Sequence, residues 1–207
     1  MKLKNLLTSF VRRINNLRRP SRQINLKKLQ ERGENPDNFI FRDATEKDIH
    51  ELGKLHAITW AETYNAQNPN IKLRQSQWDK SFTEQNDGSW FCQVIETNNN
   101  ELVGFAKGVV YKKQNDSVLH GELNKIYLLK DYQRLGLGSK LFHNVAARFI
   151  KMGINDMILF GIPQNPSSYF HEAMGGKKIY SDKGIFDGGY KWDDLYSLPN
   201  KSLKIPD

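Results

Sequence analysis

The residues best placed by type and spacing to do chemistry form one run, Gln133-Arg134-Leu135-Gly136-Leu137-Gly138-Ser139. Before it, Leu123, Ile126, Tyr127, Leu128 and Leu129 make an apolar, partly β-branched segment that predicts a strand. After it, Leu141, Phe142, Val145, Ala146, Phe149 and Ile150 recur on one helical face, and Gly153 stands where a left-handed cap would end the helix. The glycines therefore sit where strand becomes helix. A helix start carries unpaired backbone N–H groups and the positive end of the helix dipole, and glycine, lacking Cβ, lets a phosphate approach both. Gln133 and Arg134 add side-chain donors.

Spacing discriminates among the loops that share this chemistry. A Walker loop needs a glycine where Gln133 stands and a Ser or Thr where Leu141 stands. A dinucleotide fingerprint needs its third glycine at Leu141 and an acidic residue closing the next strand near Ile162, and has neither. What remains is Gln/Arg-x-x-Gly-x-Gly. Between a strand and a helix, that pattern resembles the acetyl-CoA loop of the GNAT superfamily of N-acetyltransferases. Asn165 followed by Phe170-His171-Glu172-Ala173-Met174-Gly175-Gly176 is similar to the superfamily's Asn, Phe-Tyr-Glu and Gly-Gly, and Gly189 to Tyr196 is similar to the last strand of one GNAT branch. The resemblance spans residues 38–198.

That resemblance implies an α/β domain built on a mixed, mostly antiparallel sheet of six to seven strands flanked by helices. It implies acetyl transfer from acetyl-CoA to a primary amine, with no metal. The motif strand ending at Leu128 would splay from the strand ending at Ile162, freeing backbone groups of Ile126 and Leu128 for the pantetheine arm. Gln133, Arg134, Leu135, Gly136, Leu137, Gly138 and Ser139 would hold the phosphates. Asn165 would bond the arm or cap a helix. The Leu128 N–H would polarise the thioester carbonyl. Glu122 would collect the amine proton through a water, with His120 and Glu62 as weaker candidates. The superfamily's thiolate-protonating tyrosine corresponds to His171, and Tyr169 competes for that role; two residues apart on a helix, both cannot address one sulfur. Trp60, Glu62 and Tyr64 would wall the acceptor site.

The elements that must position these residues are legible in order. Asn38 to Arg42 predicts a strand, and Thr45 with Asp48 a capping box opening a helix through Ile49, Leu52, Leu55 and Ile58. A short helix follows around Trp78. Trp90 to Glu96 and Leu102 to Tyr111 predict a hairpin through Asn98-Asn99-Asn100, and Val118 to Leu129 the next antiparallel strand. Met157 to Ile162 predicts a strand parallel to it, Pro166 to Met174 a helix, and Lys177 to Tyr180 a further strand.

Composition bounds the rest. The 207 residues, 38% hydrophobic, suit one domain plus something short. One cysteine, Cys92, excludes an internal disulfide and a cysteine zinc site, fits a reducing, cytoplasmic compartment, and reads as a small buried hydrophobe. Residues 1–35 hold ten Lys or Arg against Glu31 and Glu34, so the whole net charge of +8 resides there. The remaining domain is neutral, which argues against nucleic acid as its ligand. Leu3, Leu6, Leu7, Phe10, Val11, Ile14 and Leu17 form an apolar stripe among arginines up to Pro20, a basic amphipathic helix too short and charged to span a bilayer. It suits an anionic membrane surface, a partner or second subunit, or its own domain, and in a eukaryote an organelle presequence. Residues 20–37 read as linker and 199–207 as a tail. The acceptor is a small-molecule or peptide amine: antibiotic, polyamine, peptide N-terminus and lysine all remain open. So do two other classes of function, a CoA-binding module without turnover and a protein tethered to anionic lipid or RNA through residues 1–20.

Overall fold

The computed structural model describes residues 21–84, 87–112 and 118–198. The basic stripe of residues 1–20 and the tail 199–207 lie outside them. Seven strands form one sheet: β1 (Ile40–Asp43), β2 (Trp90–Glu96), β3 (Leu102–Lys112), β4 (Leu119–Leu128), β5 (Met157–Leu159), β6 (Lys177–Tyr180) and β7 (Phe186–Trp192). Their spatial order is β1-β2-β3-β4-β5-β7-β6, antiparallel throughout except for the parallel β4–β5 pair. The helices are α1 (Arg22–Glu31), α2 (Ile49–Tyr64), α3 (Ile71–Glu84), α4 (Leu137–Lys151) and α5 (Ser168–Ala173). The expected mixed, mostly antiparallel sheet with flanking helices is what the chain forms.

Each face of the sheet buries its own core. On one face, Leu141, Phe142, Val145 and Phe149 of α4 cover Val103, Leu123, Met157 and Trp192. On the other, Leu52 and Leu55 of α2 and Trp78 of α3 cover Cys92, Val94 and Phe105. Helices α2 and α3 approach closely at Gly53, where a Cβ would lie 2.8 Å from the Gln75 Cα. The α2 entrance is secured by Asp48, which accepts the Thr45 N–H at 2.7 Å and the Arg42 guanidinium at 2.8 and 2.9 Å. Cys92 is buried, which pushes its thiol well above the ordinary range.

Two elements differ from the sequence reading. The parallel strand ends at Leu159, not Ile162, and Phe160 and Ile162 are 67% and 48% exposed. The cause is Gly188 of β7, whose φ is +101°; a Cβ there would stand 2.7 Å from the Gly161 carbonyl carbon, so the chain leaves β5 by running across that glycine's backbone. Of the expected linker 20–37, the described part, 21–37, is no free linker. It contains α1, whose Leu29 is fully buried and whose Asn25 is 1% exposed, followed by a short turn at Pro36–Asn38. The helix docks on the turn Lys130–Tyr132: Lys28 and Arg32 pair with Asp131 at 2.6 and 3.3 Å, and the Tyr132 hydroxyl donates to Glu34 at 3.1 Å.

Both cores contain a buried imidazole. His56 lies among Trp78, Phe105 and Tyr127, and His171 against Tyr190. Burial lowers their pKa to about 3 and about 4.

Two outcomes follow from this packing. Leu29→Ala should cost about 2–5 kcal/mol in urea denaturation, as for a core leucine, whereas a free linker would show no change. The unfolded chain binds protons at both histidines near pH 6.5 and the folded chain does not, so stability should fall as pH drops from about 6.5 toward 4. His171→Phe should remove part of that slope, at most about 1.4 kcal/mol per pH unit, in denaturation measured between pH 4 and 7.

Candidate active site

The parallel pairing of β4 with β5 covers only Gly121–Met157 and Glu122–Ile158. Beyond it the strands separate. In the β3–β4 register, Gly108 faces Leu123 and Lys107 faces Lys125, so Asn124 is an extra residue that bends β4. The Leu129 N–H donates to the Val103 carbonyl of β3 at 3.0 Å. Because successive strand residues alternate, the backbone groups of Ile126 and Leu128 point the other way, toward the gap. The Leu128 carbonyl there accepts the Gln133 side-chain amide at 3.0 Å.

The gap is a cleft of about 370 Å³. Ile126, Tyr127 and Leu128 form one wall, and Gln133, Arg134, Gly136, Gly138 and Ser139 form its end. Ser167, Tyr169 and Phe170 at the start of α5 form the opposite wall, with Ala173 and Met174 below.

The loop is built to present backbone donors. Arg134 and Gly136 are both left-handed, with φ of +65° and +85°. This costs little at glycine and is sparsely populated at arginine. The Lys140 N–H makes the first bond of α4, to the Gly136 carbonyl at 3.1 Å, so the N–H groups of Leu137, Gly138 and Ser139 precede the helical ladder. A Cβ at Gly138 would meet nothing nearer than the Phe170 ring at 3.5 Å, and the space it would fill is the cleft itself. Three backbone donors, a helix dipole and the Arg134 guanidinium fit a diphosphate. Leu135 is half-buried and Leu137 is buried in the α4 core, and neither side chain lines the cleft.

The structure separates the two candidate proton donors. Tyr169 lines the cleft, with the Arg134 guanidinium 5.8 Å over its ring. His171 is outside the lining, 2% exposed, and neutral at pH 7 because burial holds its pKa near 4. The family's correspondence at His171 therefore does not bring an acid to this cleft. Asn165 is also outside the lining; its Oδ1 accepts the Ser167 N–H at 2.9 Å within the turn before α5, whose N-cap is Ser167.

On the α2–α3 face, Glu122 is half-buried and accepts the Asn124 amide at 2.7 Å, while Asn124 Oδ1 accepts Lys125 Nζ at 2.5 Å. Lys107 lies close by, 4.4 Å over the Trp90 ring and donating to Ser81 at 2.9 Å, with its pKa pushed down to about 8 by burial. Trp60 packs on Tyr64 at 5.2 Å, and Tyr64 hydrogen-bonds Tyr127, which is part of the cleft wall. Glu62 serves elsewhere: its carboxylate accepts the Lys130 N–H at 3.1 Å and secures the turn after β4. His120 pairs with Asp156 at 2.6 Å. Sequence reasoning did not single out Arg22, Asn124 or the two lysines. The one available signal was Lys107, a lone charge in the otherwise apolar run from Leu102 to Val110.

Known proteins bear on this geometry. The sequence model of the Acetyltransferase (GNAT) family matches residues 51–175. The uncharacterized N-acetyltransferase YuaI of Bacillus subtilis is 28% identical over 170 residues, covering 76% of this chain and 94% of that protein. Among solved structures, the PaiA N-acetyltransferase of Thermoplasma acidophilum in complex with coenzyme A superposes with a TM-score of 0.56 at 18% identity, over 74% of this chain and 97% of that one. An aminoglycoside N-acetyltransferase in complex with CoA gives 0.57 at 16% identity, over 74% and 94%. The family match covers more than half of the chain, including the splayed strand, the glycine loop and α5, and on that ground the chain belongs to the GNAT acetyltransferase family.

Proposed function

We propose that this protein transfers the acetyl group of acetyl-CoA to the primary amine of a small molecule or peptide. The observation that carries the reading is the open edge of β4, where Ile126 and Leu128 face the first turn of α4 across the cleft. A pantetheine arm pairs with such an edge as an extra strand would, while the loop donors hold the diphosphate. CoA bound to the two solved relatives supports the same ligand.

The chemistry assigned to the chain's residues is mostly positioning. Glu122, through a water, takes the proton that the incoming ammonium must lose. The Leu128 N–H donates to the thioester oxygen as negative charge develops there. The amine nitrogen bonds to the carbonyl carbon, the carbon–sulfur bond breaks as the Tyr169 hydroxyl gives its proton to the departing thiolate, and the second proton shed by the nitrogen returns through solvent to the Tyr169 phenolate. Trp60, Tyr64 and Tyr127 border the acceptor, and the buried cations Lys107 and Lys125 disfavour a protonated amine beside them. We assign the activity to the cytoplasm, where acetyl-CoA is available to a chain with one buried thiol. Among the described residues, no helix is long and apolar enough to cross a membrane.

Acetyl-CoA should raise the melting temperature, with a stabilisation of about 2.7 kcal/mol at a hundredfold excess over Kd. Replacing both Gly136 and Gly138 by valine should abolish the shift; a wild type without any shift at millimolar acetyl-CoA sinks the phosphate-loop reading. In thiol-release assays over amine classes, Glu122→Gln should lower kcat by about a hundredfold, the scale of one general base. Tyr169→Phe should lower kcat similarly, and His171→Phe should leave kcat and its pH profile as in wild type. The reverse pattern would return the acid to His171. Binding with no thiol release from any amine class would favour a CoA-binding module.

A further inference from the structure

We propose that α1, which lies outside the family match, is part of the cofactor site: Arg22 is a second cation for the phosphates of CoA, and Asn25 is the residue that holds the phosphate loop in its binding shape. The inference rests on the acetyl-CoA reading of the cleft and extends it to a segment that no sequence motif marks.

Arg22 lines the cleft together with Arg134, Gly136 and Tyr169. The other cations of the segment are engaged elsewhere. Lys27 pairs with Glu31 at 3.8 Å, and Lys28 and Arg32 share Asp131. Among the described residues, Arg22 makes no ion pair. A guanidinium beside a set of anion-directed backbone donors, without a carboxylate of its own, has phosphate as its natural partner.

Asn25 acts one step further back. Its buried amide donates both hydrogens, one to the Lys130 carbonyl at 3.0 Å and one to the Gln133 carbonyl at 2.9 Å. The Gln133 carbonyl shares a peptide plane with the Arg134 N–H, and in a trans peptide the two point in opposite directions. Holding that carbonyl toward α1 therefore directs the Arg134 N–H away from α1, at the residue whose φ is +65°. An arginine holds that conformation only where its surroundings fix it. Asn25 supplies the fixing contact.

The test is calorimetric binding of CoA and of 3′-dephospho-CoA to the full-length protein and its variants, with acetyl-transfer kinetics in parallel. Arg22→Gln should weaken CoA about tenfold and steepen no salt dependence, since it removes a charge-assisted contact, while Arg22→Lys should recover part of the loss. It should raise KM for acetyl-CoA and leave kcat at saturation unchanged. If the loss vanishes with 3′-dephospho-CoA, Arg22 meets the 3′-phosphate; if it persists, Arg22 meets the diphosphate; both support the proposal. Asn25→Ala should raise the CoA Kd by a similar factor, and cooperative unfolding with wild-type ellipticity shows that the variant is folded. CoA affinity equal to wild type in Arg22→Gln overturns the role of Arg22, and equal affinity in Asn25→Ala overturns that of Asn25. Wild type that binds no CoA overturns both this inference and the function beneath it. Binding that depends on Arg22, without turnover on any amine, overturns acetyl transfer alone.

Discussion

The parting of β4 from β5 is the constraint on which the remaining structure depends. Two local causes produce it from opposite sides. Asn124 is inserted as an unpaired residue that bends β4, and Gly188 lets the chain after Leu159 cross close over β7 and leave the parallel pair. Without these, a third and a fourth pair of backbone hydrogen bonds would close the sheet, and the β4 edge at Ile126 and Leu128 would be paired with a strand instead of facing the cleft. A sheet normally leaves no buried ladder groups open, because each unpaired amide costs free energy. Here the open groups are preserved at the base of a cleft, where a ligand's own amides can take the place of the missing strand.

The bend at Asn124 also has an effect on the opposite face. It brings three polar side chains, Glu122, Asn124 and Lys125, into one hydrogen-bonded string beside a mostly aromatic core. Lys107 joins this face with the Trp90 and Trp78 rings around its amine. Partly buried cations in such a setting hold their protons less firmly. In the proposed reaction the same strand would offer backbone donors to one ligand and a tuned electrostatic field to the other.

Much of this was legible in the sequence because periodicity and glycine chemistry act locally. The helical stripe from Leu141 to Ile150, the cap at Gly153 and the loop from Gln133 to Ser139 all lie in the structure where their spacing puts them. What was illegible depends on tertiary contact. Helix α1 buries only Asn25 and Leu29, one of them polar, so it has no apolar stripe to read. The orientation of α5 depends on which residue begins the helix, and this decides that Tyr169 and not His171 meets the cleft. Met157 to Ile162 is apolar throughout, yet its second half is turned outward by a glycine about thirty residues later, a contact without a signal in the run itself.

The docking of α1 gives the cofactor loop a thermodynamic partner. Coupling between two equilibria is reciprocal: by whatever factor a seated α1 tightens the hold on a phosphate ligand, the ligand tightens the seating of α1. Ser21, where the described chain begins, adjoins the one residue of α1 that reaches the cleft. On the proposed reading, anything that unseats the start of α1 would loosen the hold on the phosphates first. With ligand in saturating excess that coupling would be silent; below Kd it would govern occupancy.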